Sequence, residues 1–212
     1  MSPPPISAAS RAERSAASSF PGTVVAEATF VARTIDSDRK HLTEVLAAAA
    51  AHRGTSLVEI YQNCPIFNDG AFDAIKSPET KADAIIPLVH GEPVTFGATL
   101  DDGRGAKALV RDEATGGVRV VATADVPEAD IVVHDAHSPD PTMAFAISRL
   151  TDSGYLNTSP IGIFRQVERS TYDDEARAQV ALSQQGVSDD DTADQSARLA
   201  ALIGGGDTWT IL

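Results

Sequence analysis

Cys64 is the residue of this chain whose type and setting most directly suggest chemistry. It is the sole cysteine, and it stands in the polar segment Gln62-Asn63-Cys64-Pro65, just after the apolar stretch 56–61. The carboxyl end of a buried strand is where α/β enzymes place functional groups, so a thiol there suggests a ligand or a nucleophile. A single thiol can neither hold a metal cluster nor close a disulfide within the chain. The residues alone leave two interpretations: a buried packing thiol, or a functional thiol whose partners lie elsewhere.

Histidines are the second set of candidate ligands. The chain has five, and a catalytic pair of Cys64 with one of them is chemically reasonable, although the spacing selects none. His134 and His137 are three residues apart, which on a helix would let both rings bind one zinc ion. The segment 138–141, Ser-Pro-Asp-Pro, follows them at once and is typical of a loop. With no third ligand nearby, we expect hydrogen-bonded loop histidines near a subunit contact.

The glycine-rich and acidic segments do not match known ion or phosphate sites. Neither the segment 102–105 nor the triplet 204–206 lies between a strand and a helix with the lysine or third glycine that a phosphate loop requires. The acidic run 189–191 lacks the spacing of a calcium loop that ends in a glutamate. These segments are therefore interpreted as turns and a solvated helix start.

A strand–helix–strand unit is predicted to position Cys64. A strand ends near Thr34, and the segment 36–38 supplies side-chain oxygens that can cap a following helix. Apolar residues recur at helical spacing from Leu42 to Ala49, and Gly54 is typical of the helix end. The stretch 56–61 is the second strand. Two short connections around one helix predict a parallel crossover unit.

The rest of the chain predicts a mixture of strands and helices. The predicted elements are an edge strand with prolines at 84–94, a hairpin of 107–112 with 118–122, a short strand at 130–134, a helix at 141–150, a short extended piece at 161–165, and helices from 172 to 185 and from 189 to 204.

Composition excludes several classes of protein. The 212 residues carry a net charge of −13, which argues against a surface for nucleic acid or for anionic membranes. No apolar run approaches the length of a membrane span, and one cysteine fits a reducing, cytoplasmic compartment. Residues 1–24 lack an apolar period and predict a disordered or spurious start. A transit peptide is the alternative there, against which Glu13 and three prolines count.

Several segments together resemble one family. They are the residues 33–42, 57–72, 133–137, 160–165 and 206–210. Their order is similar to that in the C-terminal part of the β subunit of 2-oxoacid:ferredoxin oxidoreductases, and most similar to the actinobacterial 2-oxoglutarate type. The resemblance extends from about residue 26 to the C-terminus. Its most specific parts are the Cys64 segment and the closing Gly206-Asp207-Thr208-Trp209-Thr210.

The resemblance implies cofactors, partners and a role for Cys64. In this family the β subunit holds a [4Fe-4S] cluster through four cysteines, and Cys64 matches the position of the fourth. The family also uses thiamine diphosphate with magnesium to decarboxylate a 2-oxoacid. Electrons pass to ferredoxin and coenzyme A accepts the acyl group. An α subunit is the implied protein partner, and neither nucleic acid nor membrane is implied.

Two features of the family's pattern are missing from the sequence. The other three cluster cysteines are absent, and so is the Gly-Asp-Gly motif, followed by an asparagine, that binds thiamine diphosphate. Asp101-Asp102-Gly103 lies in the wrong region to replace it. We therefore expect an N-terminally truncated β subunit that is inactive alone and binds neither cofactor by itself. Cys64 is the one candidate metal ligand, with no catalytic and no cofactor-binding residue assigned.

The expected fold is of the α/β class. It would be the C-terminal part of a thiamine-diphosphate-binding domain, a parallel sheet with flanking helices, followed by a mixed extension of hairpins and helices. The expected boundaries are 1–24 for the start, 25–75 for the partial domain and 76–212 for the extension. The expected function is that of a β-subunit fragment in oxidative decarboxylation of a 2-oxoacid. The alternative is a non-catalytic interaction or regulatory protein derived from the same family.

Overall fold

The predicted crossover unit forms the edge of a four-stranded sheet. The computed structural model describes residues 20–67, 69–151, 158–185 and 192–205. Strand β1 is Phe30–Ile35, helix α2 is Arg39–Ala51 and strand β2 is Ser56–Tyr61, after a first helix α1 at Phe20–Val25. Strands β1 and β2 are parallel and in register from the pair Phe30 and Ser56 to the pair Ile35 and Tyr61. The sequence prediction of a parallel crossover is confirmed.

Helix α2 begins and packs as its sequence dictates. Asp38 caps the helix, because its carboxylate accepts a hydrogen bond from the His41 amide at 3.1 Å. Val45 is buried against Phe30 and Ala32 of β1. Leu46, which the helical spacing assigned to the same apolar face, is 44% exposed. The helix therefore buries a narrower stripe than the spacing predicted.

The remaining strands of this sheet come from far along the chain. Two short helices, α3 at Asp73–Lys76 and α4 at Lys81–Ala84, lead into strand β3 at Ile85–Leu88. Strand β7, Ser159–Gln166, lies between β1 and β3, so the strand order is β2-β1-β7-β3. It pairs antiparallel with β1 and parallel with β3. The α/β class is confirmed, and the sheet is mixed rather than wholly parallel.

A three-stranded antiparallel sheet follows β3 in the chain. Its strands are β4 at Thr95–Thr99, β5 at Gly105–Asp112 and β6 at Gly117–Ala122, in that order. The hairpin of β5 and β6 confirms the prediction from the sequence. The predicted short strand at 130–134 is reduced to two isolated bridges, between Val110 and Ile131 and between Pro93 and Val133. Two 3-10 turns, Thr123–Asp125 and Glu128–Asp130, connect β6 to this stretch.

The largest core cluster joins the two sheets. Helix α5, Thr142–Ser148, contributes Ile147 to it, and β7 contributes Phe164. The other buried members of the cluster are Val24, Val31, Ile86, Leu88, Val94, Phe96, Leu109, Val132 and Ala144. Aliphatic side chains dominate this core, as the low aromatic content of 5% requires. The core ties residues on both sides of the expected boundary at 75/76 into one packed body.

The chain divides into two compact units at Arg169 and Ser170. Unit 2 holds helix α6 at Tyr172–Gln184 and helix α7 at Thr192–Gly204. Thr171 and Asp174 form a capping box at the start of α6, in which each side chain accepts a hydrogen bond from the other residue's amide. Both helices confirm the predictions from sequence. The expected acidic start of the last helix, 189–191, lies outside the described residues.

The start of the described chain differs from expectation. Of the range 1–24, which predicted a disordered or spurious start, residues 20–24 belong to α1, and Val24 is fully buried. The rest of that range, like the closing segment 206–210, lies outside the described residues. Within the described ranges, no helix is long and apolar enough to cross a membrane.

Candidate functional site

The turn that carries Cys64 leaves the sheet at the carboxyl end of β2. The last register pair of the crossover unit joins Ile35 to Tyr61, and the Asp36 amide then donates to the Tyr61 carbonyl at 3.0 Å. The loops that follow β1 and β2 therefore both begin at the carboxyl end of this parallel pair. Functional groups were expected at this end.

Asn63 closes this turn. Its amide nitrogen donates to the Asp69 carboxylate at 3.0 Å, and its amide oxygen accepts from the Gly70 backbone at 2.9 Å. Gly70 has a φ of +72°, a left-handed conformation that favours glycine. One side chain thus ties the two ends of the segment 63–70 together, and Cys64 lies next to that tie.

Cys64 is half-buried, whereas the two apolar side chains that follow in the turn are exposed. Ile66 and Phe67 are each 78% exposed. At the base of the turn, the ring of Phe72 stacks on Tyr61 with centroids 4.8 Å apart. The thiol therefore lies partly buried on a turn that the Asn63 hydrogen bonds and the ring stack support, and its role stays a prediction.

A buried ion pair stiffens the strands below the turn. Arg33 in β1 is opposite Glu59 in β2, and its Nε donates to the glutamate Oε2 at 2.6 Å. The guanidinium also lies 5.1 Å from the centre of the Tyr61 ring and 5.2 Å from that of Phe164. Sequence reasoning missed this contact. The sign of it in the sequence was that each of two successive apolar strands contains a charged residue, Arg33 in β1 and Glu59 in β2.

The residues present do not by themselves fit an iron–sulfur cluster. Such a cluster needs four ligands, of which thiolates are the usual kind, and the sequence contains one cysteine. Over the ranges that the structure describes, no three His, Cys, Asp or Glu side chains are grouped so as to hold a metal ion. Cys64 can supply one ligand, and the others would have to come from elsewhere.

His134 and His137 lie on a loop with different surroundings. His134 is buried, and its Nε2 donates to the Ile163 carbonyl of β7 at 2.7 Å. Burial lowers the pKa of His134, so the neutral ring with its proton on Nε2 is favoured. His137 is exposed and stacks on His90 with ring centres 4.2 Å apart. His134 is therefore a hydrogen-bonded loop histidine, as expected, whereas the ring contact of His137 is the stack on His90. The expectation that this pair lies near a subunit contact stays a prediction.

Arg165 holds the same loop from the other side. It is almost fully buried, and its guanidinium donates to the carbonyls of Ser138 and Pro139 at 2.9 and 3.1 Å. Burial lowers the pKa of Arg165. The Gln166 amide adds a bond to the Ala136 carbonyl at 2.6 Å. Strand β7 therefore fixes the segment 134–139 through one side chain, that of Arg165, and two backbone groups, the Ile163 carbonyl and the Gln166 amide. No pattern in the sequence connects these residues.

A cavity of about 740 Å³ opens beside the end of β1. Its walls come from the start of α2, from α3 and α4, and from β3 and β4. Arg39, Lys76 and Lys81 contribute positive charge to its lining. No motif in the sequence predicted this cavity, because it is formed by elements that are distant from one another in the chain.

Comparisons with known proteins agree with the resemblance. No protein-family model matches the chain. The chain is 49% identical over 186 residues to the 2-oxoglutarate oxidoreductase subunit KorB of Mycobacterium tuberculosis, a match that covers 88% of this chain and 46% of KorB. A stretch of 41 residues is 46% identical to the 2-oxoacid:ferredoxin oxidoreductase β subunit of a Sulfolobus species and 44% identical to that of Saccharolobus solfataricus. Each of these shorter matches covers 19% of this chain and 13% of the relative.

Among solved structures, the chain is similar to the 2-oxoglutarate:ferredoxin oxidoreductase from Magnetococcus marinus, determined with 2-oxoglutarate, coenzyme A and succinyl-CoA bound. That similarity has a TM-score of 0.46 and 19% sequence identity, and it covers 84% of this chain and 43% of the other. This chain spans just under half the length of KorB. The sequence matches confirm that it is a relative of the β subunits of 2-oxoacid:ferredoxin oxidoreductases.

Proposed function

We propose that this chain forms part of the β subunit of a 2-oxoglutarate-type 2-oxoacid:ferredoxin oxidoreductase. The enzyme would convert a 2-oxoacid, coenzyme A and oxidised ferredoxin to acyl-CoA, carbon dioxide and reduced ferredoxin. The observation that carries the proposal is the match to KorB at 49% identity over 186 residues. That match leaves only 12% of the chain outside it. More of the chain than this lies on either side of the Cys64 turn, so the match includes the turn.

The geometry of the turn supports a ligand role for Cys64. A metal-binding thiol must be reachable and held in place, and Cys64 is half-buried beside the Asn63 tie to Asp69 and Gly70. We assign Cys64 as one ligand of a [4Fe-4S] cluster. The proposal assigns the other ligands, and the groups that hold thiamine diphosphate and magnesium, to polypeptide outside this chain.

The proposed partners follow from the same assignment. An α subunit would complete the enzyme. The complete enzyme, rather than this chain alone, would then bind ferredoxin, coenzyme A and a 2-oxoacid. We place the enzyme in the cytoplasm, because an iron–sulfur ligand that is a half-buried thiol is preserved in a reducing compartment.

Reconstitution tests the proposal. This chain would be co-expressed with the α subunit and with the part of KorB that it does not match. We expect 2-oxoglutarate- and coenzyme-A-dependent reduction of ferredoxin, together with the broad visible absorption of an iron–sulfur cluster. We expect this chain alone to show no activity. Full activity of the isolated chain, or no activity of the three-part mixture, would contradict the proposal.

Substitution of Cys64 separates its role from that of the turn. Cys64→Ser should abolish or strongly lower the cluster absorption and the ferredoxin reduction, because a hydroxyl is a poor iron ligand. Pro65→Ala, an exposed change in the same turn, is the matched control and should keep both. Equal loss in the two variants would show that the turn, and not the thiol, matters.

The alternative is a non-catalytic subunit that binds the α subunit. The observation in its favour is the exposed apolar pair Ile66 and Phe67, which offers a contact surface beside Cys64. Stable co-purification with the α subunit, combined with an inactive three-part mixture, would favour this alternative over the enzyme.

A further inference from the structure

The cavity beside β1 has an apolar floor. Ile35 ends β1, Ile75 lies in α3 and Ile85 begins β3, and all three line the space of about 740 Å³. This volume is in the range of sites that bind small organic molecules. All of the lining residues belong to unit 1, so the cavity is formed by one packed body.

Its rim carries an excess of positive charge. Arg39, Lys76 and Lys81 line it together with one acidic residue, Asp38. The Asp38 carboxylate is engaged as the helix cap, and Lys76 is paired with Asp36 at 2.6 Å. Across the described ranges, neither Arg39 nor Lys81 has an ion-pair partner. Two uncompensated cations at one cavity stand out in a chain with a net charge of −13.

Hydroxyl groups complete the polar part of the lining. Ser37 and Thr95 both face the cavity. The Thr95 hydroxyl oxygen accepts from the Gly105 amide at 3.2 Å, which leaves its own proton free to donate. The lining therefore offers cations, a hydroxyl donor and isoleucine side chains within one cavity.

We propose that this cavity binds a small organic phosphate. The phosphate would lie at the rim between the guanidinium of Arg39 and the ammonium of Lys81, and the organic part would pack on the isoleucines. A guanidinium matches phosphate oxygens in a planar fork, and a lysine adds a point charge, so a dianion suits this pair. The site needs only residues of unit 1 and does not rest on the proposed function.

Calorimetric titration of the full chain with inorganic pyrophosphate tests the site. At low ionic strength we expect binding of one pyrophosphate per chain. Arg39→Gln and Lys81→Gln should each weaken it roughly tenfold, the effect of losing one charge-assisted hydrogen bond. Added salt should weaken it further. Succinate, a dicarboxylate of similar charge, should bind less tightly.

Lys40→Gln is the matched control. Lys40 follows Arg39 in the chain, is highly exposed and does not line the cavity. The Lys40→Gln variant should bind pyrophosphate with unchanged affinity. So should Lys81→Arg, because it keeps the charge. Thermal melting would show that each variant is folded. No detectable binding, equal weakening by Lys40→Gln, or succinate binding as tight as pyrophosphate would overturn the proposal.

Discussion

The two largest fully buried side chains among the described residues are charged. They are Arg33 and Arg165, and their partners differ. Arg33 has the Glu59 carboxylate at 2.6 Å and the Pro160 carbonyl at 3.4 Å. Arg165 donates to the backbone carbonyls of Ser138 and Pro139, and its buried Nε has no hydrogen-bond partner among the described residues. A buried charge that loses its partner is costly, because the low-dielectric interior cannot replace the solvation by water. Both residues therefore make the segments that they touch sensitive to single substitutions.

Removal of the Arg33 partner should destabilise unit 1 strongly. We expect Glu59→Leu to lower the free energy of unfolding by about 3 kcal/mol, since it leaves a buried guanidinium uncompensated. The double variant Arg33→Met with Glu59→Leu should recover most of that loss, because no charge then remains buried. Urea titration of the three proteins measures both effects. Additive losses in the double variant would show that the pair is not coupled.

The titration of His134 should make the protein less stable as the pH is lowered below 6.5. Burial lowers the folded-state pKa of this histidine below its ordinary value of 6.5, and the neighbouring His90 lowers it further. The hydrogen bond to the Ile163 carbonyl and the charge of Asp135 oppose this shift without cancelling it. Below pH 6.5 the unfolded chain binds a proton that the folded chain resists. Unfolding is then favoured by up to about 1.4 kcal/mol per pH unit, until the pH reaches the folded-state pKa. Above pH 6.5 this contribution to the pH dependence disappears.

Urea titrations between pH 5.5 and 7.5 test this expectation. His134→Gln retains an amide donor for the Ile163 carbonyl and should flatten the dependence below pH 6.5. His137→Gln, an exposed change on the same loop, should keep the dependence of the unsubstituted protein. Unchanged pH dependence in His134→Gln would show that another group is responsible.

At the scale of elements, β7 is the strand on which the larger sheet depends. It pairs with β1 on one side and β3 on the other, and it carries Arg165 and the His134 acceptor, Ile163. Gly162 lies at its centre with a φ of +137°. A Cβ there would lie 2.5 Å from the Leu88 carbonyl oxygen of β3. This glycine is what allows β3 to approach.

Gly162→Ala should therefore disrupt the contact of β7 with β3. We expect a loss of more than about 2 kcal/mol in the free energy of unfolding, since backbone strain and a clash with backbone act together. Gly91→Ala is the control, because Gly91 has a φ of +82° but nothing within 4 Å of its Cβ position. It should show the smaller cost of strain alone. Equal losses would mean that the close approach contributes nothing.

The sequence predicted the elements whose signals are local and missed those built by distant contacts. The β1-α2-β2 unit and the β5-β6 hairpin follow from periodicity, a capping aspartate and a glycine-rich turn. The segment 161–165 was predicted only as a short extended piece, yet it belongs to the strand that joins the sheet. Its pairing with β1 bridges about 130 residues, and no local pattern encodes such a partner. Cys64 was found because its type is rare, and the cavity was missed because its lining is dispersed.

At the scale of the whole molecule, the two units differ in how much side chain they bury. Unit 1 contains the core clusters, whereas no described side chain of α6 or α7 is buried. Leu199, Leu202 and Ile203 of α7 are each more than half exposed. Helices of this length are marginal in water unless an apolar face is packed. The stability of the chain is thus concentrated in unit 1.

Hydrogen exchange should reveal this division directly. In the isolated chain we expect amides of α6 and α7 to exchange at least about a hundredfold faster than those of β1 and β7, because opening a solvated helix exposes little apolar surface. Mass spectrometry of proteolytic fragments gives both rates in one experiment. Measurement at two protein concentrations tests whether a second copy covers the helices, since association would slow exchange only at the higher one. Protection of α6 and α7 equal to that of β1 at both concentrations would contradict the expectation.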